Sequence, residues 1–253
     1  MASIVDSSWT TQATEVVSQA CEYYGGLDRW RALALIRLFP KRLSGLVPWL
    51  KGAGVSFPLP STFEVIPRRR CTRFVDFPAP GQVGIFENGD VRIERVADGA
   101  LLASSDAHRQ TFRGLSGLRR WAPLDGLYFF GYALSHYHSL PFTLLDGRLL
   151  GARTAFVAGQ RVTVLSVELP ADLDTHCRRQ SFYFDAQGKL LRHDYHAEIV
   201  GILARGAHYW NCQTRCNGLP VALDRHVVLR LGSLTFPLTA LHATFTRAEV
   251  EFD

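Results

Sequence analysis

Hydrophobic positions in residues 10–26, TTQATEVVSQACEYYGG, recur at the spacing of one helix face: Val16, Val17, Ala20 and Tyr23 or Tyr24. Thr10 or Thr11 can cap the start, and Gly25-Gly26 supplies the stop. In the following LDRWRAL, Trp30 is expected to pack back on that helix. From about residue 33 the pattern changes to short runs rich in β-branched and aromatic residues: LALIRLFPKRLSGLV, STFEVI, RCTRFVDF, QVGIFE and DVRIERVA. ENGD at 87–90 is a hairpin signal. PWLKGAGVSFPLPS (48–61) carries Pro and Gly and reads as a loop or flap. Helical spacing returns in APLDGLYFFGYALSHYHSLPF (122–142), with Leu127, Phe130 or Gly131, Leu134 and Tyr137 or His138 as its stripe and Pro141 as its stop. Aromatic residues surround this helix almost entirely, which predicts burial on most sides. Strands resume at RVTVLSVELP (161–170) and continue through HCRRQSFYFD, KLLRHDYHAEIV, RGAHYWNCQTR, PVALDRHVVLR and LTALHATFTRAEVEF, with turns at DAQGK and CNGLP.

Strands spaced roughly ten to fifteen residues apart with short turns predict an up-and-down antiparallel sheet. No linker, low-complexity segment or internal repeat divides the chain, so residues 1–253 read as one domain. A long twisted sheet must curl or close to remove its edges, and two helices are available to fill its concave side.

Composition supports a large core. The chain is 47% hydrophobic, with 16 Phe, 8 Tyr and 5 Trp, and only 20% charged, which excludes a disordered chain. The net charge of +5 is scattered, and the one basic triple, Arg68–Arg70, reads as a solvated face, so no nucleic-acid partner is expected. Five cysteines are an odd number with no disulfide framework. Cys212 and Cys216 would lie about 13 Å apart on a strand, too far for a disulfide or a shared metal. The N-terminus has neither a basic n-region nor an apolar h-region, and no run of about 18 apolar residues exists. A cytoplasmic location without a membrane span is the expectation, and reduced thiols fit it.

The densest chemistry is RHDYHAEIVG (192–201). On an extended strand Asp194, His196 and Glu198 share one face, with neighbours about 7 Å apart, and His193, Tyr195, Ala197 and Ile199 share the other. The acidic face suits general acid/base work if it turns inward, and a solvated strand with cross-strand charge pairs if it turns outward. RGAHYWNCQ should pair antiparallel with it and bring His208 or Tyr209 opposite the acidic face. In SHYHS (135–139), His136 and His138 diverge by roughly 200° on a helix and could share a face only if the chain were extended there. A histidine satisfied at a helix end is the simpler reading. His176 and Cys177 are strand neighbours pointing to opposite faces, so they form no dyad. His176, with Arg178 and Gln180 on its face, could line the concave side and bind a carboxylate or carbonyl. No dinucleotide, phosphate-loop, zinc-protease or nucleophile-elbow motif is present, and no metal or other cofactor is expected.

The opening helix that ends in YYGGLDRWRALALIRL resembles the start of LolA-like proteins, where a Gly-Gly stop and a Trp lead into the first strand of a half-barrel. The stretches RWAPLDGLYFFGYALSHYHSLPF, DTHCRRQSFYFDAQGKLLRHDYHAEIVG and GAHYWNCQTRCNGLPVALDRHVV are similar, in the same order, to a bacterial family of uncharacterised proteins of similar length. That family has an Asp and a His where this chain has Cys212 and Gln213. The resemblance implies a mainly β fold, an open antiparallel half-barrel wrapped about apolar helices with an apolar groove. LolA-like proteins use such a groove for acyl chains, and a cytosolic relative in violacein biosynthesis steers a small aromatic intermediate without a cofactor. Fold analogy alone does not choose between these uses. The leading expectation is a cofactor-independent cyclase or isomerase of secondary-metabolite biosynthesis. Asp194 or Glu198 would be its acid/base, with His196 or His208 as partner. Phe129, Tyr132, His136, His176, Tyr183 and Trp210 would line the groove against a hydrophobic small molecule. The alternative is a non-catalytic carrier or chaperone of a lipophilic ligand. An oligomeric scaffold using its sheet edges ranks third, and a homodimer is compatible with any of these.

Overall fold

A computed structural model describes residues 10–54, 57–113, 119–232 and 234–253. Helix α1 (Thr11–Tyr23) buries Ala13, Val17, Ala20 and Cys21, and Thr10 caps it by accepting from the Ala13 amide. The residues after Gly25 form a second short helix, α2 (Gly26–Ala32). Trp30 stacks on Phe142, with ring centroids 4.8 Å apart, and packs against the core cluster to which α1 contributes. The remaining helices are α3 (Leu46–Lys51) and α4 (Pro123–Ser139).

Six strands precede α4: β1 (Leu33–Ser44), β2 (Thr62–Ile66), β3 (Cys71–Val75), β4 (Gln82–Glu87), β5 (Asp90–Arg95) and β6 (Leu101–Ser105). Seven follow it: β7 (Arg148–Val157), β8 (Gln160–Glu168), β9 (Arg179–Phe184), β10 (Leu190–His196), β11 (Arg205–Cys216), β12 (Leu219–Leu231) and β13 (Leu234–Phe252). They build one antiparallel sheet in the order β6-β5-β4-β3-β2-β1-β13-β12-β11-β10-β9-β8-β7. The half-barrel is thus two meanders joined where the last strand pairs with the first, Ile36 opposite Val250. Asn88-Gly89 and Asn217-Gly218, all at positive φ, turn the β4–β5 and β11–β12 hairpins.

The expectations for residues 33–97 and 161–252 place eleven of these strands. The other two, β6 and β7, are the edges of the sheet. Most of their side chains are exposed, so neither carries the apolar run that marks a core strand.

Leaving β6, the chain crosses the concave side as α4 and rejoins the sheet at its opposite edge as β7. Thirteen of the 17 residues of α4 are buried. Gly131 lets it sit directly on β4, since a Cβ there would lie 2.4 Å from the Phe86 Cβ. Thr72 donates to the Gly131 carbonyl at 2.9 Å and ties the helix to β3. At the start of α4, Asp125 accepts from the Ala122 amide, His108 Nε2 and Arg119. Burial pushes its carboxyl up, but these hydrogen bonds and the Arg119 charge outweigh it and hold the group at about 2.

Gly131→Ala gains about 1 kcal/mol of helix propensity but forces α4 off the sheet at a cost of about 1–3 kcal/mol. Urea unfolding should show a net loss of stability. An unchanged or raised midpoint would mean that this contact does not set the helix position.

Candidate functional site

A cavity of about 150 Å³ lies between α4, residues 53–54 and 57–60, and the concave faces of β1–β3 and β10–β13. Phe57, Phe63, Phe74, Phe129, Ala133 and Phe245 are among its apolar walls. Its outer rim includes the exposed residues Arg42, Pro58 and Leu59. At its buried inner end stand Tyr137, Tyr195, His208 and Arg225. Among the described residues, no carboxylate lines it. An apolar space of this volume encloses a benzene-sized group, and a longer guest would extend through the rim.

Behind the inner end lies a buried polar network. His176 is contacted by the Tyr132 hydroxyl at Nδ1 (2.9 Å) and by the Tyr137 hydroxyl at Nε2 (2.6 Å), and Tyr137 reaches the Tyr195 hydroxyl at 3.3 Å. Two proton arrangements satisfy all three contacts: Tyr132 donates to Nδ1, Nε2–H donates to Tyr137 and Tyr137 donates to Tyr195, or every donor and acceptor is reversed. His176 also stacks on Tyr195, centroids 4.0 Å apart. His193 contacts the Gln180 side-chain oxygen and stacks on Phe182. His136 faces His193 across 5.9 Å.

Desolvation is the main reason that all these imidazoles are driven below their ordinary range. His136 falls to about 4, His138 falls to about 3 with Arg225 adding to the effect, and His176, His193 and His208 lie well below. All five are therefore neutral at pH 7. Among the described residues, no cluster of three or more His, Cys, Asp or Glu side chains is arranged to hold a metal ion.

In the 192–201 stretch the strand ends at His196, and it is turned the other way round from the catalytic expectation. Its His193/Tyr195 face is the inner one, and β11 pairs His193 with His208 and Arg192 with Tyr209. Asp194 therefore lies on the outer face. It is buried there by Arg192 (2.6 and 2.9 Å), the Tyr183 hydroxyl (2.8 Å) and Arg230 (3.4 Å). Tyr183 belongs to the same outer cluster, with Val162 and Val164, and does not line the groove. The outer face holds the acid because three side chains neutralise or bond it there, whereas the inner face offers it none of them.

Glu198 lies beyond the end of β10, half-exposed and paired with Arg109 at 2.6 Å. His196 contacts the Gly201 carbonyl at 3.0 Å. Both line an open polar cleft with Asp172, Arg178 and Arg205, away from the cavity. His176 is presented by the loop before β9 rather than by a strand, and Arg178 turns away to the Leu169 carbonyl.

Of the anticipated residues, Phe129 and His208 line the cavity. Tyr132 and His176 belong to the network behind it, His136 only faces the His193 ring there, and Trp210 packs beneath Arg225, which lies 4.3 Å from its ring centroid. Tyr137, His193, Tyr195 and Arg225 were not among the anticipated site residues. Arg225 did leave a trace in the sequence: it alternates with Val221, Leu223 and Val227, the apolar face of β12.

No protein-family model matches the chain, and no curated protein matches it. Among solved structures it is similar to a LolA superfamily protein from Nitrosomonas europaea, with 11% identity over 94% of this chain and 93% of that one and a TM-score of 0.49. It is also similar to a DUF1329 family protein from Desulfovibrio piger, with 11% identity over 96% and 94% of the two chains and a TM-score of 0.47. The expected curved antiparallel sheet wrapped about an apolar helix is the one observed in the strand order and the burial of α4. Among the described residues, no helix is long and apolar enough to cross a membrane.

The buried imidazoles make stability pH-dependent. Above the unfolded-state value of about 6.5 they are neutral in both states and contribute no slope. As pH falls below it, the unfolded chain takes up protons that the folded chain does not, and folding stability is lost. Each such histidine removes about 2 kcal/mol by pH 5. Urea midpoints should therefore drop steeply between pH 7.5 and 5. Equal midpoints would show that the imidazoles titrate freely in the folded protein.

Proposed function

We propose that the protein binds a lipophilic small molecule in this cavity and acts as a carrier or chaperone rather than a catalyst. The observation that carries this reading is the lining: aromatic and aliphatic walls with no carboxylate among the described residues. Such a surface gains free energy by withdrawing an apolar ligand from water.

Acid/base cyclisation or isomerisation has less support. Asp194 is neutralised on the outer face, and Glu198 is paired at the surface. The imidazoles nearest the cavity have their basicity suppressed by burial, which makes them weak bases and leaves them without the proton that an acid needs at pH 7. All five cysteines are free thiols, which favours a reducing compartment for this role.

The uncharged fluorescent probe N-phenyl-1-naphthylamine should bind the native protein with enhanced emission. Ala243, half-buried on β13, lines the cavity. Ala243→Phe fills the space and should weaken the probe at least tenfold. Absence of binding to the native protein, or unchanged affinity in the variant, would overturn the reading.

A further inference from the structure

Arg225 is only 2% exposed, yet among the described residues no carboxylate pairs with it. Its Nη2 lies 3.3 Å from His138 Nε2. His138 Nδ1 is bonded to the Leu134 carbonyl at 2.8 Å, so Nε2 is the lone-pair nitrogen that accepts from the guanidinium. Arg225 Nε and Nη1 have no partner among the described residues. The guanidinium is held between aromatic rings, 4.3 Å from the Trp210 centroid and 5.1 Å from that of Tyr137. Cation–π contact of this kind offsets part of the desolvation but leaves the charge uncompensated. Beside it, both ring nitrogens of His208 lack partners among the described residues, and His208 is neutral. One of those nitrogens carries a proton and is a free donor. Arg225 and His208 both line the inner end of the apolar cavity.

Unmatched donors therefore collect at the inner end, with no acidic side chain in the lining to meet them. The nearest acid in sequence, Asp224, faces His242 at 3.2 Å and Asn211 at 3.4 Å, both on the other side of its strand from Arg225. A buried, unpaired cation is strongly unfavourable unless an anion joins it.

We propose that the natural ligand is an apolar monocarboxylic acid, a fatty or aromatic acid, bound with its carboxylate inward against Arg225 and His208 and its apolar body between the aromatic walls. A single buried guanidinium matches a singly charged head group, and the carboxylate accepts from the nitrogens that now lack partners. Arg42 at the rim is exposed to water and needs no such partner, so the charge is matched at the inner end rather than at the mouth. This inference rests on the ligand-binding reading above and specifies its ligand.

Isothermal titration calorimetry with octanoate and 1-octanol at pH 7.5 tests it, because the two probes share a chain and differ in the head. The native protein should bind octanoate at least tenfold more tightly. Arg225→Met should abolish that preference while 1-octanol affinity stays within threefold. It should also raise the Tm of the ligand-free protein, because an apolar side chain of similar length replaces an unpaired buried charge. A merely structural cation would give a lowered Tm with the preference intact.

Equal binding of the two probes by the native protein overturns the carboxylate assignment and leaves the carrier reading standing. Binding of neither overturns both. A preference that survives Arg225→Met and disappears in Arg42→Ala would place the head group at the mouth and overturn the inward orientation. If Arg225→Met does not fold, the native octanoate-to-octanol ratio still decides the head-group charge, and Arg42→Ala decides the orientation: loss of the preference there overturns it, and retention supports it.

Discussion

A thirteen-strand sheet whose two outer strands are each paired on one side only has a large concave face to withdraw from water, and α4 carries that burden. Two demands fall on the same seventeen residues. The chain must travel from the β6 edge to the β7 edge, and whatever makes the crossing must be apolar nearly all round. Glycines at 126 and 131 allow close approach, and aromatic side chains fill the space that a curved sheet leaves open. The helix begins at a carboxylate bonded from three sides, so its first turn is anchored where the chain turns inward. The cavity is the part of the concave volume that α4 does not fill.

The interior divides its polar groups by charge. Acidic side chains around the functional half of the sheet sit on the outer face or the rim and are matched there: Asp194 by Arg192 and Arg230, Glu198 by Arg109, Glu168 by Arg148 and Arg179. The inner face keeps tyrosines, neutral imidazoles and one guanidinium. Tyrosine and histidine can bond one another as donor and acceptor without a net charge, which is how a chain such as Tyr132–His176–Tyr137–Tyr195 survives at full burial. Arg225 is the exception, charged and short of acceptors.

Local signals made much of this legible. The Asn-Gly turns, the Thr10 cap and the all-round apolar pattern of 122–142 each depend on neighbours close in sequence, and each led to the element observed. The edge strands escaped because an exposed strand needs no apolar run. The direction of β10 escaped for a different reason. Alternation sorted its residues into the two correct sets, but it does not say which set faces in. Arg192, two residues before Asp194, was visible in that stretch, but Arg230, 36 residues after Asp194, and Tyr183 across the β9–β10 pair were not. Treating the more polar set as the site reversed the strand. In β12 the same alternation held a sharper signal, since a single arginine interrupts an otherwise apolar inner face at Val221, Leu223 and Val227.

That arginine also explains how an apolar cavity can be selective. Apolar walls alone distinguish ligands by size and shape, and each methylene changes affinity only modestly. A buried cation changes the comparison. An uncharged guest leaves Arg225 as poorly solvated as before and gains only what the walls supply. An anionic guest loses its own hydration, but it meets a charge whose desolvation is already complete in the folded protein and whose orientation is fixed by Trp210, Tyr137 and His138. Reorganisation at binding is then small, so the electrostatic gain is not offset by fresh ordering. Folding stability is lower for holding such a charge in the empty state, and discrimination between head groups is what the arrangement provides in return.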